Sequence, residues 1–169
     1  MKHLVIALTL VTGTGLIAAG DPAAVLDGQL RRVFPVAASF SAKEGNPPVF
    51  KAYAADGKTV LGYAFWTTEI VPLERGYDGP IKMIMGVSTS GVITGVAVIA
   101  HREPYGNFSV EPPAFAAQFK DKSIRDQFRV GVDVDAISRA TITITSSARA
   151  IKNSARQVAR QYLNPEAVK

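Results

Sequence analysis

The sequence predicts an α+β fold, an antiparallel β-sheet with packed helices, and three observations predict it. Two pairs of short runs rich in β-branched and aromatic residues each flank a glycine-bearing turn. A long C-terminal segment carries apolar residues three and four apart, the spacing of one helix face. Strands and helices occupy separate stretches instead of alternating, which favours an antiparallel sheet over a parallel one.

The elements follow in order. In "DPAAVLDGQLRRVFP" Asp21 is a helix N-cap, Pro22 fits the first helical position, and Pro35 stops the helix. Val25, Leu26, Leu30, Val33 and Phe34 are its expected apolar face. After a loop with Gly45, Asn46, Pro47 and Pro48, "VFKAY" and "TVLGYAFWT" form a hairpin across Asp56-Gly57, a pair suited to positive φ. "IKMIMGVS" and "VITGVAVIAH" form a second hairpin with Gly91 in its turn, and "ERGYDGP" is a glycine loop between the two. "HREPYGNFSVEPP" is too rich in Pro, Gly and Asn for regular structure, whereas "PPAFAAQFKDK" reads as a short helix. Val130, Val132 and Val134 alternate as a short strand would. In the last helix Ala148, Ile151, Ala155, Val158 and Tyr162 make the apolar stripe, Arg149, Lys152, Arg156 and Arg160 face away, and Ser146 or Ser147 is the expected cap.

Composition bounds the function. The chain has 169 residues, 47% hydrophobic, enough for one core and no second domain of similar size. A formal charge of +5 is spread along the chain and one late helix, with no nucleic-acid motif beside it, so a solvated basic face is expected and nucleic acid is not an expected partner. The absence of cysteine excludes disulfides, Cys-ligated zinc, iron–sulfur clusters and c-type haem on these residues. Two histidines, one of them His3, leave no multi-histidine metal site. "GVSTSG" lies in a hairpin turn and is no nucleophile elbow. Catalysis by the chain's own groups is not the leading reading.

"MKHLVIALTLVTGTGLIAAG" has a positive start, an apolar run and small residues at its end. Residues 1–20 read as a secretory signal peptide cut near Gly20/Asp21, with an uncleaved anchor as the rival; residues 21–169 are then one exported, periplasmic domain.

The stretch "DAISRATITIT", Asp135 to Thr145, needs a further explanation. Its Asp135-x-x-Ser138-Arg139-Ala140-Thr141 resembles the D-x-x-[S/T]-G-A-T signature of the FMN-binding domain family, with Arg139 where glycine is commonest. "EGNPP", "GYDGPIKMIMGVSTSGVITGVAVIAHREP" and the segment after Val33 look like the exported domain of the NosR/NirI group of nitrous-oxide-reduction flavoproteins. The resemblance implies FMN joined to Thr141 by a phosphoester that a separate flavin transferase installs. It further implies an electron-transfer role with protein redox partners, in a respiratory chain that includes nitrous oxide reduction. Asp135 and Ser138 would tie the turn with local hydrogen bonds, small Ala140 would leave room for the transferase, and Arg139 or Arg149 would reach the phosphate. Gly76, Tyr77 and Gly79 would bring backbone close to the flavin, Ser138, Thr143, His101 and Glu103 would contact it, and Tyr105 and Phe108 would stack on it. A module that only senses FMN, or serves assembly of a membrane complex, is the alternative.

Overall fold

The computed structural model describes residues 21–165; the leader reading of residues 1–20 lies outside them. Within that span five strands form one sheet in the order β1-β2-β3-β4-β5, antiparallel throughout: β1 Ser39–Phe40, β2 Phe50–Tyr53, β3 Val60–Trp66, β4 Lys82–Ser88 and β5 Ile93–Ala100. The two hairpins are where the turn chemistry puts them. Gly57 and Gly91 take φ of +66° and +78°. Asp56 accepts the amides of Lys58 and Thr59, each at 2.9 Å, closing the first turn.

Alternation along the strands sorts two cores. Ala64, Trp66, Ile84 and Ala97 face Leu30 and Val33 of α1, Pro22–Val33. Phe65, Met83, Met85 and Val96 face the opposite way, toward Ile144, Ile151, Ala155 and Val158 of α5, Thr141–Tyr162. A period of two on each strand against a period of 3.6 on the helix builds both layers. Each large side chain taken fully out of water contributes about 1.5–3 kcal/mol. Three short helices complete the described fold: α2 Thr67–Ile70, α3 Gly106–Ser109 and α4 Pro113–Ala117. The C-terminal end of α5 is fastened by Tyr162, whose hydroxyl donates to the Pro47 carbonyl at 2.7 Å and whose ring stacks on Tyr63.

α1 sits directly on the sheet backbone. Its cap is as read, with the Asp21 carboxylate accepting the Ala23 amide at 3.0 Å. Gly86 and Gly95 pair across β4 and β5. A Cβ on Gly86 would lie 2.7 Å from the Val33 carbonyl oxygen, and one on Gly95 would lie 2.9 Å from the Val33 Cα. Val25 departs from expectation: it is exposed, because it shares its helical stripe with Gly28, Gln29 and Arg32 and not with Leu26, Leu30 and Val33.

Three expectations differ from the structure, the first being that Gly106–Ser109, within a segment expected to be irregular, forms α3. Val130, Val132 and Val134 do not form a strand; a single bridge joins Val130 to Val134. The Asp133 carboxylate accepts the amides of Phe128 at 2.9 Å and Arg129 at 2.6 Å, and these local bonds curl the segment into a turn. The last helix starts at Thr141, five residues before Ser146. Ser146 and Ser147 are therefore buried inside it and cap nothing. Thr and Ile lose only a few tenths of a kcal/mol of helix propensity, which burial of Thr143 and Ile144 outweighs.

Candidate functional site

The turn that delivers Thr141 is a backbone device. Arg139 holds φ +67°, a left-handed conformation that favours glycine. The Ala140 amide donates to the Ile137 carbonyl at 3.1 Å, and Ala140 becomes the N-cap of α5, with no side chain closing the helix start. The amides of Thr141, Ile142 and Thr143 consequently have no partner within the helix. Thr141 is exposed at the first position. Asp135 and Ser138 do not tie the turn as expected: both are exposed, and neither side chain makes a hydrogen bond among the described residues. The Asp135 amide is held instead by the Gln118 side chain, at 2.8 Å.

Beside this turn lies the glycine loop, clamped by one carboxylate. Glu103, buried, accepts the amides of Tyr77 and Asp78, each at 3.0 Å, and the hydroxyl of Thr143. A Cβ on Gly76 would stand 2.5 Å from Glu103 Oε1, so glycine is needed for the loop to close over that carboxylate. The Gly76 amide reaches the Gly79 carbonyl at 2.7 Å, and Gly79 has φ +128°. Arg102 donates to the Asp78 carbonyl at 3.2 Å from outside. Glu103 thus accepts three protein donors and joins the glycine loop to the first turn of α5. Thr143 is buried, and its hydroxyl donates to Glu103.

Between turn and loop opens a hollow of about 320 Å³, walled by Tyr77, Tyr105, Pro104, Arg139, Thr141 and Ile142. Its edge is unusually apolar for a surface: Tyr77 is 69% exposed, Ile142 57% and Tyr105 48%. Tyr105 packs on Phe108 with ring centres 5.3 Å apart, which leaves these aromatics supported yet open. Pro104, which ends the quoted HREP stretch, and Ile142, which no sequence signal singles out, are also part of this wall. His101 is not part of it. Its Nδ1 accepts the Glu103 amide at 3.1 Å and its Nε2 lies 3.2 Å from Glu111, against a separate cleft along β5. The ring abuts Gly106, where a Cβ would collide with it. His101 therefore braces the loop that carries Glu103. Arg149 is engaged by Glu74 at 2.8 Å.

The arrangement offers an exposed threonine, helix-start amides without a partner in the helix and with a positive dipole end, a guanidinium and an aromatic rim. That set suits a phosphate ester with a flat aromatic group attached. No cluster of three or more metal-ligating side chains exists among the described residues.

Comparison with known proteins points the same way. The family described as the FMN-binding domain matches residues 76–156, a span that runs from the glycine loop to the middle of α5. The chain is 35% identical over 89 residues to one subunit of an ion-translocating oxidoreductase complex of Shewanella baltica, covering 47% of this chain and 42% of that protein. It is 28% identical over 115 residues to one subunit of the proton-translocating ferredoxin:NAD(+) oxidoreductase complex of Clostridium ljungdahlii, covering 63% and 58%. Similarity to the regulatory protein NosR of Pseudomonas aeruginosa reaches 27% over 156 residues, covering 86% of this chain and 22% of that one. The chain spans about half the length of the oxidoreductase-complex relatives it matches.

Proposed function

The chain belongs to the FMN-binding domain family through residues 76–156, and from that premise we propose that it is an exported electron-transfer module carrying FMN as a phosphoester on Thr141. One observation carries the reading. Thr141 stands exposed at an uncapped helix start, on the wall of an aromatic-rimmed hollow.

FMN, when bound, supplies one- and two-electron chemistry through a ring that attachment at the phosphate leaves unaltered. The chain's own residues bind and orient. The amides at the start of α5 and the Arg139 guanidinium favour the phosphate over solvent. Tyr77, Tyr105 and Ile142 offer apolar surface for the ring system, and the clamped loop keeps Tyr77 in place by holding its amide on Glu103. A threonine hydroxyl is a weak nucleophile, and no general base adjoins Thr141 among the described residues, which supports attachment by a separate flavin transferase. A covalent link replaces a finite affinity with a permanent local concentration, useful where cofactor cannot be resupplied.

The relatives from Shewanella and Clostridium are, by name, parts of ion- and proton-translocating oxidoreductase complexes. This supports a protein redox partner within a membrane complex. The resemblance to the nitrous-oxide-reduction flavoproteins makes that respiration a second setting for the same electron transfer.

The test is the intact mass of the chain produced together with a flavin transferase. The expected result is one FMN phosphoester per chain, mapped to the peptide containing Thr141, with leader removal visible in the same spectrum. A colourless chain at its bare polypeptide mass overturns the reading and leaves the non-redox assembly module.

A further inference from the structure

Outside the hollow, the strongest concentration of one charge lies along α5. Thr141, Thr145, Arg149, Lys152 and Arg156 follow one another at helical spacing, so one stripe begins at the proposed attachment residue and continues as a basic face. Thr145 lies about 6 Å along the axis from Thr141 and Lys152 about 16 Å. Across from it, the turn at residues 125–130 raises the far wall of a groove of about 430 Å³ lined by Arg129, Arg149, Lys152 and Arg156. No Asp or Glu lines the groove.

What matters is how these cations are held. Lys152 Nζ donates to the Gln127 carbonyl at 3.0 Å. Arg156 donates to the carbonyls of Ile124 at 2.8 Å and Asp126 at 3.0 Å. Carbonyl oxygens satisfy the donors and fix the side chains but carry no net charge, so the positive potential stays. Arg149 is the exception, matched by Glu74. Arg129 is exposed and its guanidinium makes no bond among the described residues. A walled groove with rigidly held charge focuses its field better than a solvated face does.

We propose that this groove docks an acidic segment of a partner protein and thereby seats that partner beside Thr141. Its concave shape argues for a protruding peptide segment, since a membrane surface meets a flat or convex face. For what the partner then does, the proposal rests on the flavin reading; the binding itself does not.

The probe is poly-L-glutamate, titrated onto the full flavin-loaded chain at low and high salt. We expect binding that weakens steeply with salt, and a loss of about tenfold or more in affinity in the Arg129→Glu, Lys152→Glu double variant. Arg129→Glu alone, which disturbs no bond, should lose about threefold. The charge-matched control Arg32→Glu, Lys58→Glu, on α1 and the first hairpin turn, should keep nearly wild-type affinity. Flavin content should be unchanged in every variant, which separates failure of docking from failure of attachment. Equal losses in control and groove variants would mean net charge alone binds and would overturn the proposal. So would groove-dependent binding to vesicles of phosphatidylglycerol in phosphatidylcholine without binding of poly-L-glutamate.

Discussion

The Thr143 hydroxyl donates to the same Glu103 carboxylate that holds the amides of Tyr77 and Asp78. One buried side chain therefore ties the first turn of α5 to the glycine loop, 25 or more residues away in sequence on either side. The two walls of the hollow are set by this single node. Glu103→Gln places an amide N–H₂ among donors and should cost about 2–4 kcal/mol, read as a lower urea midpoint. Thr143→Val removes one donor and should cost about 1–2 kcal/mol. Both should raise hydrogen exchange at Tyr77 and Asp78, which an effect confined to the helix would leave unchanged.

Thr141 makes the contrasting case. It is exposed and its side chain bonds to nothing among the described residues, so Thr141→Val should alter stability by less than about 0.5 kcal/mol. The same change should abolish in-gel flavin fluorescence after denaturation. Thr141→Ser, which keeps a hydroxyl, should retain part of it. Acid-stable flavin on the valine variant would place the attachment elsewhere.

Arg139 occupies a left-handed backbone position where the family signature has glycine, and φ +67° supplies the reason for that preference. Arg139→Gly should relieve about 1 kcal/mol of backbone strain, partly offset by the greater freedom glycine gives the unfolded chain. A modestly higher thermal midpoint, with flavin still on Thr141, is the expected outcome. A fall in midpoint would mean the guanidinium contributes more to the turn than its conformation costs.

The sheet is legible in the sequence because its signals are local and redundant: turn glycines at 57 and 91 and alternating strands beside them. The turn that presents Thr141 is marked in the sequence by Asp135, Ser138 and Ala140 as a pattern. What the pattern means physically is not. Ser138 and Asp135 look like hydrogen-bonding residues, yet the backbone of 137–140 does the tying. The start of α5 is hidden because Thr and Ser favour caps, and alternating Thr and Ile looks strand-like until Ile144 is seen aligned with Ala148, Ile151 and Ala155. Glu103 and His101 stand out in the loop after β5, but the bonds they make there do not. A buried carboxylate serving two amides from a distant loop is a long-range relationship, and no local spacing encodes it.

Close approach of α1 to the sheet depends on Gly86 and Gly95, which lack the Cβ atoms that Val33 would strike. Gly95→Ala should push α1 outward and cost about 1–3 kcal/mol, the range of overpacking. Thr94 adds a bond from its hydroxyl to the Val33 carbonyl at 2.5 Å, so Thr94→Val should weaken the same contact by about 1 kcal/mol. Flavin attachment should be unaffected by either change, because α1 lies on the sheet face opposite α5.

The turn at Asp133 carries a pH dependence whose sign can be worked out. Burial pushes its carboxyl up, but the amides of Arg129 and Phe128 and the Lys122 ammonium together outweigh that and hold it below the usual aspartate range. A depressed folded pKa means stability that is fully present above the unfolded pKa, near 4, and lost as pH falls through the lower folded value. Asp133→Asn should therefore lower the urea midpoint at pH 7 by the equivalent of about 1–2 kcal/mol. The gap between variant and wild type should stay constant from pH 7 to about 5 and narrow below about 4. Because Asp133 bonds Phe128 and Arg129, the variant should also loosen the far wall of the basic groove and weaken poly-L-glutamate binding at neutral pH. A stability gap that does not narrow in acid would mean the turn is held by its backbone and not by this charge.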